Sequence, residues 1–255
     1  MLTKSVIQYN LQISQTISEK IDDFVQRIAT FTRDRLIAVY AYGAITQEDF
    51  DVQSSYLQIM LVFKEVNTDL LEILAPASTR ANEDFRLDLK IIGETDLQPS
   101  SDVFPIEFTN IKETRFLLYG EDVFKKVSVT FEDLRRACER ETKQYLFQLR
   151  SYFALHTKRP EELIQKITGE FEQFLLILNA ALLLKTGDFA SNASLIIEQA
   201  SEEFNLDEKV LNKIRNIHLG RERVSDMIDI LHIYNKYLYL IIKISRIIDR
   251  FDIYK

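Results

Sequence analysis
The chain has 255 residues, enough for one large domain or two small ones, each with a buried core. Its 46% hydrophobic and 28% charged residues are ordinary for a folded globular protein and exclude global disorder. A formal net charge of −7 argues against broad nucleic-acid affinity, which needs many phosphate-neutralising Lys and Arg, and leaves room only for a local basic groove. Cys138 is the single cysteine, so an intrachain disulfide and a Cys-rich zinc site are excluded. Between Ala137 and Glu139 it reads as a partly buried small apolar residue. The opening Met1-Leu2-Thr3-Lys4 lacks the apolar core of a signal peptide. The most apolar segment, 174–184, covers 11 residues where a bilayer span takes roughly 20. A cytoplasmic protein without a membrane segment is expected.

With only 6 Gly and 4 Pro, the chain favours long helices joined by short connections. Residues 5–33 form one predicted amphipathic helix, because Ile17, Ile21, Phe24, Ile28 and Phe31 recur at steps of four and three and share a face. Residues 36–41 are a short apolar run ending at Gly43, suited to a buried strand. After a polar stretch, 56–63 is a second strand whose first half alternates, as a strand facing a cleft would. A helix is predicted over 66–80, with Leu70, Leu71 and Leu74 as its buried face. Strands are predicted over 85–92 and 103–111. From Phe131 onward the pattern is helical, over 131–156, 160–186, 189–204 and 207–248. Pro160 opens the second of these and Gly187 follows its end, the usual asymmetry. Gly220 breaks or kinks the last.

The informative segment runs from Tyr42 to Gln58. Gly43-Ala44 follows the first strand, a polar loop comes next, and Ser55-Tyr56-Leu57-Gln58 opens the second strand, with Tyr56 twelve positions after Ala44. The segment resembles the core motif of the nucleotidyltransferase superfamily related to DNA polymerase beta, in which Gly-Ser follows the first strand and Ser-Asp-x-Asp or Ser-Asp-x-Asn opens the second. A second block, Asp102 to Phe108 followed by Leu117-Leu118-Tyr119-Gly120-Glu121-Asp122, is similar to one in uncharacterised bacterial nucleotidyltransferase-like proteins. The resemblance implies an α+β fold: a nucleotidyltransferase-like mixed sheet with helices over 1–125, then an all-helical bundle over 126–255.

The departures matter more than the match. In working members the motif Ser and nearby backbone N–H groups hold nucleotide phosphates, while the two acidic positions hold Mg²⁺. Here the Ser position is Ala44 and the acidic positions are Tyr56 and Gln58. Neither supplies a carboxylate, and phosphoryl transfer depends on that electrostatic stabilisation. The degenerate nucleotide site therefore comprises Gly43, Ala44, Ser55, Tyr56, Gln58 and Asp88, with no catalytic residue, no metal ligand set and no cofactor. Mg²⁺ and a nucleoside triphosphate enter only under the alternative of an atypical metal site. Asp88, in the third strand, is where superfamily members can carry a third carboxylate.

Other features carry less. Asp49-Phe50-Asp51 lies seven positions ahead of the motif acids and reads as a solvated loop. Arg150 and His156 fit the loose Arg-x(4–6)-His pattern of helical HEPN ribonucleases, but both types suit a helix C-terminus, where cations meet the negative end of the dipole. His218 and His232 have no Cys or third His at metal-ligand spacing. Tyr234, Tyr237, Leu238 and Ile241 recur at helical steps and read as core or interface. The expected function is a catalytically inactive nucleotidyltransferase-fold protein acting as a binding, regulatory or scaffold component. The alternative is an active enzyme transferring a nucleotide to a small molecule or protein. A homo-oligomer or protein partner is expected, through apolar faces on the first and last helices, with a residual nucleotide as a further ligand.

Overall fold
The computed structural model describes residues 13–46, 50 and 56–251. The chain divides into two compact units, Met1–Val129 and Thr130–Lys255. The first is a mixed α+β unit built on a four-stranded sheet, and the second is all helical.

In the first unit, α1 (Gln15–Thr32) is capped by the side chain of Ser14 and buries Ile21, Phe24, Val25 and Ile28. Phe31, expected on that face, is instead half exposed, and Thr32 takes the buried position at the end of the helix. Strands β1 (Leu36–Tyr42) and β2 (Leu57–Phe63) follow, then α2 (Thr68–Asp84), β3 (Leu87–Gly93), α3 (Leu97–Val103), α4 (Pro105–Thr114) and β4 (Phe116–Gly120). Strand order is β3-β2-β1-β4, with β1 antiparallel to β2 and β4, and β2 parallel to β3. Alternation along the central strands serves two cores. Val39, Ala41, Leu57, Ile59 and Leu61 pack with α1 and α2, and Tyr40, Tyr42, Met60 and Val62 pack with Leu97, Phe108, Ile111 and Phe124. On α2, Leu70 and Leu74 are buried as expected, but Leu71 is exposed and Ala77 and Ala81 complete the face.

The strand expected over 103–111 is helical. Pro105 occupies the first turn of α4, where its missing N–H costs nothing and its fixed φ suits a helix. The apolar Ile106, Phe108 and Ile111 fit a short alternation as well as a helix face, so periodicity could not separate the two. The fourth strand is supplied by Phe116–Gly120, inside the second motif block. There Gly120 has φ +81°, and any Cβ would collide with the carbonyl of Ile37, so only glycine lets β4 approach β1 this closely.

The second unit holds α5 (Phe131–His156), α6 (Pro160–Gly169), α7 (Phe171–Thr186), α8 (Ala193–Glu203), α9 (Glu208–His218) and α10 (Met227–Ile248). The helix expected over 160–186 is two helices bent by 45° after Gly169, and the one over 207–248 breaks at Gly220, φ +68°. His218 and His232 therefore lie on different helices. Gly187 ends α7 in the left-handed conformation, its N–H returning to Leu183 O. Cys138 is fully buried on α5, and burial pushes its thiol up to about 12. Tyr234 donates to Leu149 O at 2.8 Å, Tyr145 and Tyr237 share a hydroxyl contact of 3.1 Å, and buried Asn179 holds both backbone groups of Ala190 at 2.9 Å. The main apolar faces of α1 and α10 are buried within their own units, while Phe31 on α1 and Met227, Ile228 and Tyr239 on α10 are exposed. Among the described residues, no single helix is long and apolar enough to cross a membrane.

Candidate functional site
The site lies where β1 ends and β2 and β3 begin, on the sheet face covered by α4. Antiparallel pairing sets Tyr42 opposite Gln58, and parallel pairing sets Gln58 beside Asp88. Side chains two apart share a face, so Gln58, Asp88 and Lys90 all face α4. Gly43 turns the chain out of β1 at φ +67°, a conformation that favours glycine. Its N–H donates to Thr114 Oγ1 at 3.1 Å, and that hydroxyl donates to Asn110 O at 2.7 Å, fastening the turn to the end of α4.

Gln58 fills the space over this turn. Its Oε1 accepts from Ala44 N–H at 3.4 Å and its Nε2 donates to Asp88 Oδ2 at 3.3 Å. Only this amide orientation matches donor to acceptor at both ends. Both bonds are long, but the amide oxygen sits on the backbone donor next to the motif glycine. Tyr56 does not occupy that space. It is exposed, with the Arg86 guanidinium 4.3 Å from its ring centre.

Beyond Asp88, Lys90 Nζ lies 2.8 Å from Glu107 Oε1 on α4. Burial lowers the affinity of Lys90 for its proton, but the hydrogen bond and charge of Glu107, with the charge of Asp88, outweigh this and hold it above its ordinary value. The ammonium is thus paired with Glu107 and also feels the charge of Asp88. The three groups sum to a formal charge of −1, two carboxylates against one ammonium. The Tyr42 hydroxyl is buried without a hydrogen-bond partner among the described residues, and burial, then Asp88 and Glu107, push its pKa up strongly. It remains a neutral phenol.

Of the residues singled out in the sequence, the structure brings Gly43, Ala44, Gln58 and Asp88 together and sets Tyr56 apart, while Ser55, Asp49 and Asp51 lie outside the described residues. Lys90, Glu107, Tyr42 and Thr114 were not found in the sequence. Lys90 had a signal, two positions after Asp88 on an alternating strand. Glu107 and Thr114 had none while 103–111 was read as a strand. Among the described residues no group of three or more His, Cys, Asp or Glu could hold a metal ion.

The second-unit histidines are occupied locally. His156 stacks on Tyr152 at 3.9 Å, with Nδ1 on Tyr152 O and Nε2 3.3 Å from Glu162. His218 meets Thr168 O and Glu172. His156 thus contacts both its own helix end and α6, and His218 contacts α6 and α7.

The site is thus a glycine turn after β1 facing the residues that open β2, in a mixed four-stranded sheet that an all-helical unit follows in the chain. No protein-family model matches the chain, and no curated protein matches it by sequence. Among solved structures it is similar to spectinomycin adenyltransferase AAD(9) from Enterococcus faecialis, solved with ATP and spectinomycin. The TM-score is 0.54 at 16% identity, covering 87% of this chain and 98% of that one. At that identity the likeness establishes the fold alone.

Proposed function
We propose that the chain is a non-catalytic protein on a nucleotidyltransferase fold, acting by binding, as a regulatory or scaffold component. One observation carries the reading: Gln58, standing at a motif acid position, lays its amide over Gly43 between Ala44 N–H and Asp88. The backbone donor that would face a phosphate is held by the protein's own side chain. The neighbouring charge supports the same conclusion. An unchelated triphosphate carries about four negative charges and would meet a cluster of net −1 with no metal-ligand set among the described residues. The test is calorimetric titration with ATP, GTP, CTP and UTP, with and without Mg²⁺. Mg²⁺ is expected to strengthen binding of none of them, and Mg²⁺-dependent binding lost in Asp88→Asn would overturn the proposal.

A second reading rests on Asp88 and Glu107 converging on Lys90. If Lys90 moved aside, the two carboxylates would be available to one cation, and the chain would transfer a nucleotide to a small molecule or protein, as the name of the similar adenyltransferase states for that enzyme. Pyrophosphate release that requires Mg²⁺ or Mn²⁺ and is abolished by Asp88→Ala would establish it. Light scattering tests the expected self-association.

A further inference from the structure
A cleft in the second unit is unconnected with the motif. It holds about 580 Å³ between the α8–α9 turn, with Asn205, Leu206 and Asp207, and one face of α10. That face is a stripe at steps of four, three and four: His232, Lys236, Tyr239 and Lys243, with Asn235 beside it. The opposite face of α10 is committed to the core through Tyr234, Tyr237, Ile241 and Ile244. The stripe therefore lies outside the core and faces the α8–α9 turn, and two of its four residues are lysines.

The cleft carries two ammonium groups and one carboxylate. Asp207 is committed twice, capping α9 through Val210 N–H and receiving Lys236 Nζ at 3.3 Å. Lys243 donates to the carbonyl of Asn205, and it has no carboxylate partner among the described residues. Asn205 adopts φ +51°, a left-handed turn conformation that asparagine tolerates, at the rim of the cleft. Tyr239 is 64% exposed in the middle of the stripe, where an aromatic ring has no packing role. The volume lies within the range of small-molecule sites.

We propose that this cleft binds a small phosphate monoester bearing a planar ring, with the phosphate on Lys236 and Lys243 and the ring on Tyr239. Two lysines one heptad apart lie about 10 Å apart along the helix, and their long side chains can converge on one dianion. Asn235 and His232 add hydrogen-bonding capacity at the other end of the stripe. The site uses no metal and no residue of the first unit.

The probes are phenyl phosphate, adenosine monophosphate, inorganic phosphate and adenosine, each titrated calorimetrically into the full chain in EDTA. The two ring-bearing monoesters are expected to bind, and inorganic phosphate and adenosine to bind at least tenfold more weakly. Tyr239→Ser, at an exposed side chain, and Lys243→Gln, at a half-buried one, are each expected to weaken the monoesters about tenfold or more, with the melting temperature unchanged in Tyr239→Ser. The charge-matched control Lys158→Gln leaves binding unaltered. Absence of binding by both monoesters, or binding untouched by Lys243→Gln and Tyr239→Ser, overturns the site. Equal affinity for inorganic phosphate and the monoesters overturns the assignment of the ring to Tyr239. Loss of binding in Lys243→Gln and Tyr239→Ser assigns it to this cleft rather than to the motif site, whose test is Mg²⁺ dependence.

Discussion
Gln58 leaves no room for a Cβ at Gly43, and a double-mutant cycle measures that fit. A Cβ added at Gly43 would overlap Oε1 of Gln58 and come within 3.0 Å of its Cδ. The φ of +67° adds a second, independent cost, about 1–2 kcal/mol for a residue with a Cβ in the left-handed region. In Gly43→Ala the Gln58 amide must leave, giving up its bonds to Ala44 N–H and Asp88. At about 0.5–1 kcal/mol for each of two long hydrogen bonds, this raises the total to roughly 2–4 kcal/mol. In a Gln58→Ala background the overlap is gone and only the backbone cost of about 1–2 kcal/mol remains. The expected coupling between the substitutions is therefore about 1–2 kcal/mol, above the few tenths that independent sites show. Urea unfolding followed by circular dichroism and tyrosine fluorescence supplies the four stabilities. Additive effects would show that Gln58 does not rest on the glycine turn, and the proposal of a self-occupied phosphate position would fall with it.

Restoring the motif as Ala44→Ser, Tyr56→Asp and Gln58→Asp sets a carboxylate at 58 beside Asp88 in the parallel register. Mg²⁺ with ATP is then expected to raise the melting temperature, by up to about 2.7 kcal/mol of stabilisation at a hundredfold excess over Kd, where the native chain shows no Mg²⁺ effect. At Asp122, burial raises the carboxyl pKa but the paired hydrogen bonds from Arg115, at 3.0 and 2.9 Å, more than reverse this and hold it below 3.8. A depressed carboxylate pKa stabilises the fold above the unfolded value and loses that contribution as pH falls through the folded one. Asp122→Asn should therefore cost about 1–3 kcal/mol at pH 7, and the cost should shrink as pH falls below the unfolded carboxyl value and through the depressed folded one, read from urea midpoints. Asn179→Ala leaves both backbone groups of Ala190 unpaired in the interior and should cost about 2–4 kcal/mol, measured the same way. Cys138, buried with its thiol pushed up to about 12, should resist a thiol reagent at pH 8 until urea unfolds its helix.

Strands β1 and β2 were legible as short apolar runs with buried side chains, and β3 by its alternation. Helix α5 was legible for its long amphipathic pattern, and Gly187 and Pro160 marked ends that no other residue types mark as clearly. Residues 103–111 were misread because three apolar residues satisfy two periods at once, and only the position of Pro105 in the first turn separated them. Gly169 and Gly220 show the same limit from the other side. A glycine can be tolerated within a helix or end one, and which occurs depends on whether the flanking segments bury more surface bent or straight.

The sequence by itself determined the α+β architecture, the glycine turn and the replacement of three motif residues, because each follows from residue type and spacing along the chain. The tertiary structure decided that Gln58 rather than Tyr56 lies over the turn, that Lys90 pairs with Glu107 of α4, and that a stripe with two lysines on α10 faces a cleft. These are relations between segments far apart in the chain. Strand register and helix packing fix them, and no local pattern encodes which side chain meets which across that distance.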